Sequence, residues 1–179
     1  MPDSPSQAGY ENTSVAEKGG KYLTFALADE EYGLEILKVR EIISYMETTV
    51  VPQMPHFVKG VINLRGQIIP VIELRAQFGM ESAEVTGQTC IIVVEVCQDM
   101  CKYSYGIMVD RVLEVLEIPG ENIEETPQFG SSVNTDVLLG IGKVGESIKI
   151  LLDIDKVLES DKFSTVVENC GVASVTDEK

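Results

Sequence analysis

Residues 60–74, GVINLRGQIIPVIEL, decide the fold because their pattern occurs twice. Residues 140–154, GIGKVGESIKILLDI, follow it without a gap, with apolar bulk repeating through the second half. Upstream of each lies a second matching pair: residues 32–43, YGLEILKVREII, and residues 105–116, YGIMVDRVLEVL, in which Tyr, Gly, Val and Glu are identical. The order is the same both times, so the chain holds two copies of one supersecondary plan, each roughly seventy residues long. A β unit of that size has difficulty burying enough surface alone, and two copies sharing an apolar seam solve the problem. The expected subdomains are residues 21–80 and 88–158.

Outward from the repeat, Val- and Ile-rich runs recur between Gly, Pro, Asp and Asn, the pattern of an all-β barrel or sandwich with about ten strands. Tyr22–Ala28 and Tyr32–Leu37 form a predicted hairpin around Asp29-Glu30. Val61–Leu64 and Gln67–Leu74 flank Arg65-Gly66, where glycine permits a tight reversal. Pro70 lies inside the second of these runs and requires an edge or a bulge there. Helix signals are short, at Pro55–Gly60, Leu74–Phe78 and Asp155–Leu158, so the helices are connectors.

Residues 1–20 and 161–179 are polar without apolar periodicity and read as flexible tails. The chain carries 29 acidic against 14 basic residues, a formal net charge of −15, and the excess persists when the tails are set aside. Such a field repels phosphate backbones and anionic lipid, which argues against nucleic acid and membrane as partners. The first twenty residues lack the basic start and apolar run of a signal peptide, and no stretch reaches the roughly eighteen apolar residues of a membrane span. The expectation is a cytoplasmic protein with reduced thiols at Cys90, Cys97, Cys101 and Cys170. An acidic surface and few open strand edges predict a monomer in isolation.

Catalytic chemistry finds little to converge on. The single His56, flanked by Pro55 and Phe57, accompanies no nucleophile motif. Gly140, Gly142 and Gly145 lack the Lys-Ser/Thr and the long helix of a phosphate-binding loop. Asp99, Asp110 and Asp153 lack calcium-loop spacing, and Cys97-x-x-x-Cys101 has no second pair to complete a metal site. No cofactor and no metal are expected. A small-ligand β-barrel remains the alternative, and it requires a cavity lined by inward residues.

The run from Tyr22 through EEYGLEILKVREI, then MPHFVKGVINLRGQIIPVIELRAQFG, GIMVDRVLEVLEI and ILLDIDKVL, resembles the CheW family of chemotaxis coupling proteins across about residues 21–159. The resemblance implies two similar five-stranded SH3-like barrels packed around a shared core. It also implies a non-catalytic adaptor, at receptor arrays near the inner face of the membrane, bridging the cytoplasmic helical hairpin of a chemoreceptor and the regulatory domain of the histidine kinase CheA. In the family the receptor lies along the groove between the barrels, and the matching positions are Ile36, Val39, Glu41 and Arg65. Kinase contacts come mainly from the second barrel. Read by themselves, Glu41 and Arg65 are equally ordinary solvated charges, and Ile36 and Val39 equally core residues. The Arg65 guanidinium is expected to point away from the core with its donors free for a partner. One departure from the family pattern is Cys97–Tyr105, CQDMCKYSY, several residues longer than the usual hairpin.

Overall fold

A computed structural model of the chain describes residues 18–98, 100–126 and 137–158. Its strands are β1(Gly20–Leu27), β2(Glu30–Glu35), β3(Val39–Ser44), β4(Val58–Leu64), β5(Gln67–Glu73), β6(Cys90–Gln98), β7(Cys101–Val109), β8(Arg111–Ile118), β9(Ile123–Glu124), β10(Leu138–Val144) and β11(Ser147–Leu152). Helical structure among the described residues is confined to α1(Leu74–Gln77), α2(Ile154–Val157) and 3-10 turns at Ile36–Lys38 and Gly120–Asn122. The strands form a six-stranded sheet, β8-β1-β2-β11-β10-β9, and a five-stranded sheet, β3-β6-β7-β5-β4.

The repeat is carried into three dimensions residue by residue. Hairpins β4–β5 and β10–β11 share one sequence of buried and exposed positions in their first strands. Each also breaks its pairing at the same place, between Val58 and Gly60 in one and between Leu138 and Gly140 in the other. The isolated bridge Thr49↔Val61 stands where β9 pairs Glu124 with Ile141, so the sixth strand of one sheet is a single bridge in the other.

The barrels do not follow the sequence boundary near residues 80–88, which corrects the expected subdomains. Hairpin β4–β5 lies parallel to β7 of the other copy, Val71 opposite Gly106. Hairpin β10–β11 lies parallel to β2, Leu151 opposite Gly33. Strands β3 and β8 are exchanged in the same sense, onto β6 and β1. One barrel is therefore continuous, residues 39–109. The other combines β1 and β2 with everything from β8 onward. Because the two Tyr-Gly strands read alike, strand signals alone leave the choice of partner open.

The identical Tyr-Gly pairs have a physical cause. A Cβ on Gly33 would stand 2.9 Å from Leu151 Cδ2, and one on Gly106 would stand 2.7 Å from Ile91 Cγ2. Glycine is what lets neighbouring chains approach at these positions. Tyr105 and Tyr32, beside them, enter the shared core together with Phe25, Ile92, Ile107 and Leu152. Burying each such side chain stabilises the fold by roughly 1.5–3 kcal/mol before entropy is counted. The barrel interiors are smaller: Ile62, Ile69, Val71, Ile91, Val93 and Met108 in one, and Tyr22, Ile118, Ile123 and Leu151 in the other.

Four local expectations meet the structure differently. Leu74–Phe78 contains one α-helix and Asp155–Leu158 overlaps the other, both short connectors. Pro55–Gly60 is a turn that enters β4, because Phe57 is drawn into the shared core and its carbonyl accepts from Glu73 N at 2.8 Å. The Cys97–Tyr105 stretch is not a long loop, since pairing continues to Gln98↔Cys101 and the added residues lengthen β6 and β7. Pro70 lies opposite Val61 but outside the ladder to β7, which begins at Val71, so that side of the strand is an edge at Pro70, as a residue without an N–H requires. Residues 1–17 and 159–179, with Cys170, lie outside the described residues, as does Asp99.

Candidate functional site

Arg65 and Gly66 form the two-residue turn between β4 and β5, with φ of 52° and 87°, and Leu64 pairs with Gln67 across it. Both central residues are left-handed, the conformation whose twist matches the flanking strands. Asn63 Oδ1 accepts from Gly66 N at 2.8 Å and steadies the reversal. The turn aims the arginine across to β3, the opposite edge of the same sheet. There Glu41 accepts twice, Oε2 from Nη1 at 2.7 Å and Oε1 from Nη2 at 2.5 Å. The fork-to-fork geometry is the strong form of this interaction.

Arg65 is therefore not the free donor set that the sequence suggests. Its side chain is 67% exposed and that of Glu41 26%, so the pair is presented to solvent as a unit. The hydrogen bond to Arg65 is the main reason the Glu41 carboxyl sits below the usual carboxylate range, and the same bond raises Arg65. Ile36 lies in the 3-10 turn joining β2 to β3, and Val39 begins β3. Both are half-buried and pack against the shared core, so each is in part a core residue. The structure brings Glu41 and Arg65 into contact, and sets Ile36 and Val39 on the same chain segment just before them.

Sequence reasoning missed Leu37, which is 94% exposed beside Ile36. The repeat held the signal, because position 37 corresponds to Asp110 in the second copy, and a site that accepts an aspartate is not core. Ile42 and Ile68 are also exposed, and so are their repeat partners Val115 and Ile148. The ion pair is not duplicated. Glu114 stands where Glu41 does, but position 145 is glycine, and the Glu114 backbone is instead held by the Thr24 hydroxyl. The Glu41–Arg65 unit thus marks the 39–109 barrel alone.

The remaining candidates do not converge. His56 Nε2 lies 3.3 Å from the Ala76 carbonyl and its ring meets Phe57 edge-on. Cys90, Cys97 and Cys101 are free thiols, and among the described residues no three His, Cys, Asp or Glu side chains are grouped to hold a metal. Clefts beside Glu73 and Asp110 and between Lys18 and Leu37 hold about 10 and 80 Å³, well short of the roughly 300–1,000 Å³ of ligand pockets. No helix among the described residues is long and apolar enough to cross a membrane.

Two crossed barrels with apolar interiors, one of them carrying a preformed charge pair presented to solvent, define an all-β double-barrel protein. The chain belongs to the CheW-like domain family, whose model matches residues 21–162. It is 40% identical over 148 residues to Chemotaxis protein CheW of Klebsiella aerogenes, covering 83% of this chain and 87% of that one. Chemotaxis protein CheW of Thermotoga maritima is 33% identical over 147 residues, 80% of this chain and 91% of its own. The crystal structure of the scaffolding protein TtCheW from Thermoanaerobacter tengcongensis superposes with a TM-score of 0.70 at 35% identity, over 80% of this chain and 95% of that one.

Proposed function

We propose that this chain is a non-catalytic adaptor of chemotaxis-type signalling that joins the cytoplasmic helical hairpin of a chemoreceptor to the regulatory domain of the histidine kinase CheA. It acts in the cytoplasm, at receptor arrays. Family membership supports the adaptor role, and one observation supports the position of the receptor contact: Glu41 and Arg65 form an exposed, preformed unit on one barrel only. Ile36 and Val39 supply half-buried apolar surface next to it. A partner helix laid along this junction meets apolar side chains first and a fixed charge pair at their border, an arrangement that gives register as well as affinity. Kinase contact falls to the other barrel, which leaves both partners room to bind together.

The test is co-sedimentation of the purified protein with a receptor cytoplasmic fragment and with the CheA regulatory domain, separately and together. A ternary complex is expected. Binding to neither partner overturns the proposal, and binding to one only removes the bridging role.

A further inference from the structure

A duplicated chain poses a problem of choice, since hairpin β4–β5 could lie on β2 of its own copy as readily as on β7, and β10–β11 on β7 as readily as on β2. Hydrophobic pattern does not decide, because the docking positions, Gly33 and Gly106, are the same residue in the same Tyr-Gly context. Charge does. We propose that two ion pairs, Arg75–Asp110 and Lys149–Glu31, select the crossed arrangement over the sequential one.

Each pair joins a hairpin, or the helix that follows it, to the strand or strand end of the other copy. Arg75 in α1 holds Asp110, between β7 and β8, by two bonds of 2.9 and 2.6 Å. Asp155 in α2 holds Lys38, between β2 and β3, at 2.5 Å. Positions 75 and 155 correspond in the repeat, so the two helices carry opposite charge at the same place. Lys149 in β11 is held by Glu31 of β2 with its side chain only 9% exposed. Its counterpart Ile69 is fully buried, and the counterpart of Glu31 is the buried Ser104.

Uncrossed docking undoes this pattern. Arg75 would leave Asp110 for Leu37 and the ammonium of Lys38. Lys149 would exchange Glu31 for Ser104, whose hydroxyl already accepts from the Arg40 guanidinium at 2.8 Å, and Ile69 would be set against Glu31. Asp155 would exchange Lys38 for its repeat counterpart Arg111, with Asp110 beside it, so this pair alone would be replaced in kind. A buried cation without its partner carries a large penalty, and like charges brought together add to it. The crossed form satisfies all three pairs at once.

The experiment uses the full chain. Lys38→Asp with Asp155→Lys keeps an ion pair in the crossed form but makes position 38 attractive to Arg75 in the uncrossed one. Lys149→Ile with Glu31→Ser copies the residues of the other repeat and removes the second selector. The quadruple variant, the control Lys38→Arg with Asp155→Glu, and the wild type are refolded by dilution from urea and read by amide NMR. Wild type and control are expected to give one set of resonances. The quadruple variant is expected to give a second, slowly exchanging set with nuclear Overhauser contacts between residues 33 and 71, and at least a twofold lower yield of the native set. If the quadruple variant does not fold, the Lys38→Asp, Asp155→Lys variant is read by the same criteria. A single crossed species, or a loss of yield without the contact between residues 33 and 71, overturns the proposal.

Discussion

Arg65 carries two duties that one substitution can separate. Its side chain fixes Glu41, while its backbone occupies a left-handed conformation that costs a non-glycine residue roughly 1–2 kcal/mol. Arg65→Asn removes the guanidinium but suits the turn better, as Asn-Gly is the preferred pair there. We expect its stability in urea to hold, the better turn residue offsetting the lost surface pair, while affinity for a receptor cytoplasmic fragment falls. Glu41→Gln should lose a similar amount, since the pair presents itself as one unit; a large loss for one and none for the other would show that only one side chain meets the partner. Asp110 offers a pH test. The Arg75 fork, aided by the Ala28 N–H, holds its carboxyl below the usual range. A depressed folded-state value means that the stabilisation is present above the unfolded value near 3.9 and is lost as pH falls through the folded one. Asp110→Asn should therefore cost about 1–2 kcal/mol at pH 7 and progressively less on acidification, with wild type and variant converging in urea titrations as pH falls through the folded-state value. That Arg65 occupies a turn was legible in the sequence; that its donors are already taken was not, because Glu41 lies 24 residues away in a strand whose edge position only the folded sheet defines.

At the scale of elements, the hairpins were the most legible feature, because a two-residue turn between apolar runs leaves little freedom in register. The Pro55–Gly60 segment was misread as helical because its local signals were outweighed by a tertiary one, the burial of Phe57. The glycines opposite the docked hairpins yield a prediction. At Gly106 an added methyl would meet Ile91 Cγ2 at 2.7 Å and Val71 Cγ2 at 3.4 Å, whereas at Gly33 the nearest atom is the tip of Leu151, at 2.9 Å. A leucine tip can rotate away, but a β-branched side chain inside a filled barrel has less room. Gly106→Ala should thus cost about 2–3 kcal/mol and Gly33→Ala about 1 kcal/mol, measured as shifts in urea midpoint at constant m. Equal costs would mean that the two docking sites yield alike.

For the whole molecule, the count of two barrels followed from the repeat, yet the exchange of strands between them did not, since a sequence repeat records what is duplicated and not which copy pairs with which. Exchange has an energetic signature. Phe25, Tyr105 and Leu152 lie in one continuous core fed by both copies, so neither barrel can open without exposing the other. We expect a single calorimetric transition whose van't Hoff and calorimetric enthalpies agree, and two resolved transitions would contradict the shared core. The crossed strand order also sets a schedule for synthesis. The 39–109 barrel has all its strands once residue 109 has emerged, and can close while the rest of the chain is still being made. Strands β1 and β2 emerge before it; β8 reaches β1 once residue 118 is out, but β11 reaches β2 only after residue 152. At roughly 5–20 residues per second the β1–β2 hairpin waits on the order of ten seconds with the β2 edge unpaired. Holdase chaperones on the ribosome would therefore find their target at the N-terminal hairpin, and a pause in translation would be harmful before residue 152 and harmless after it.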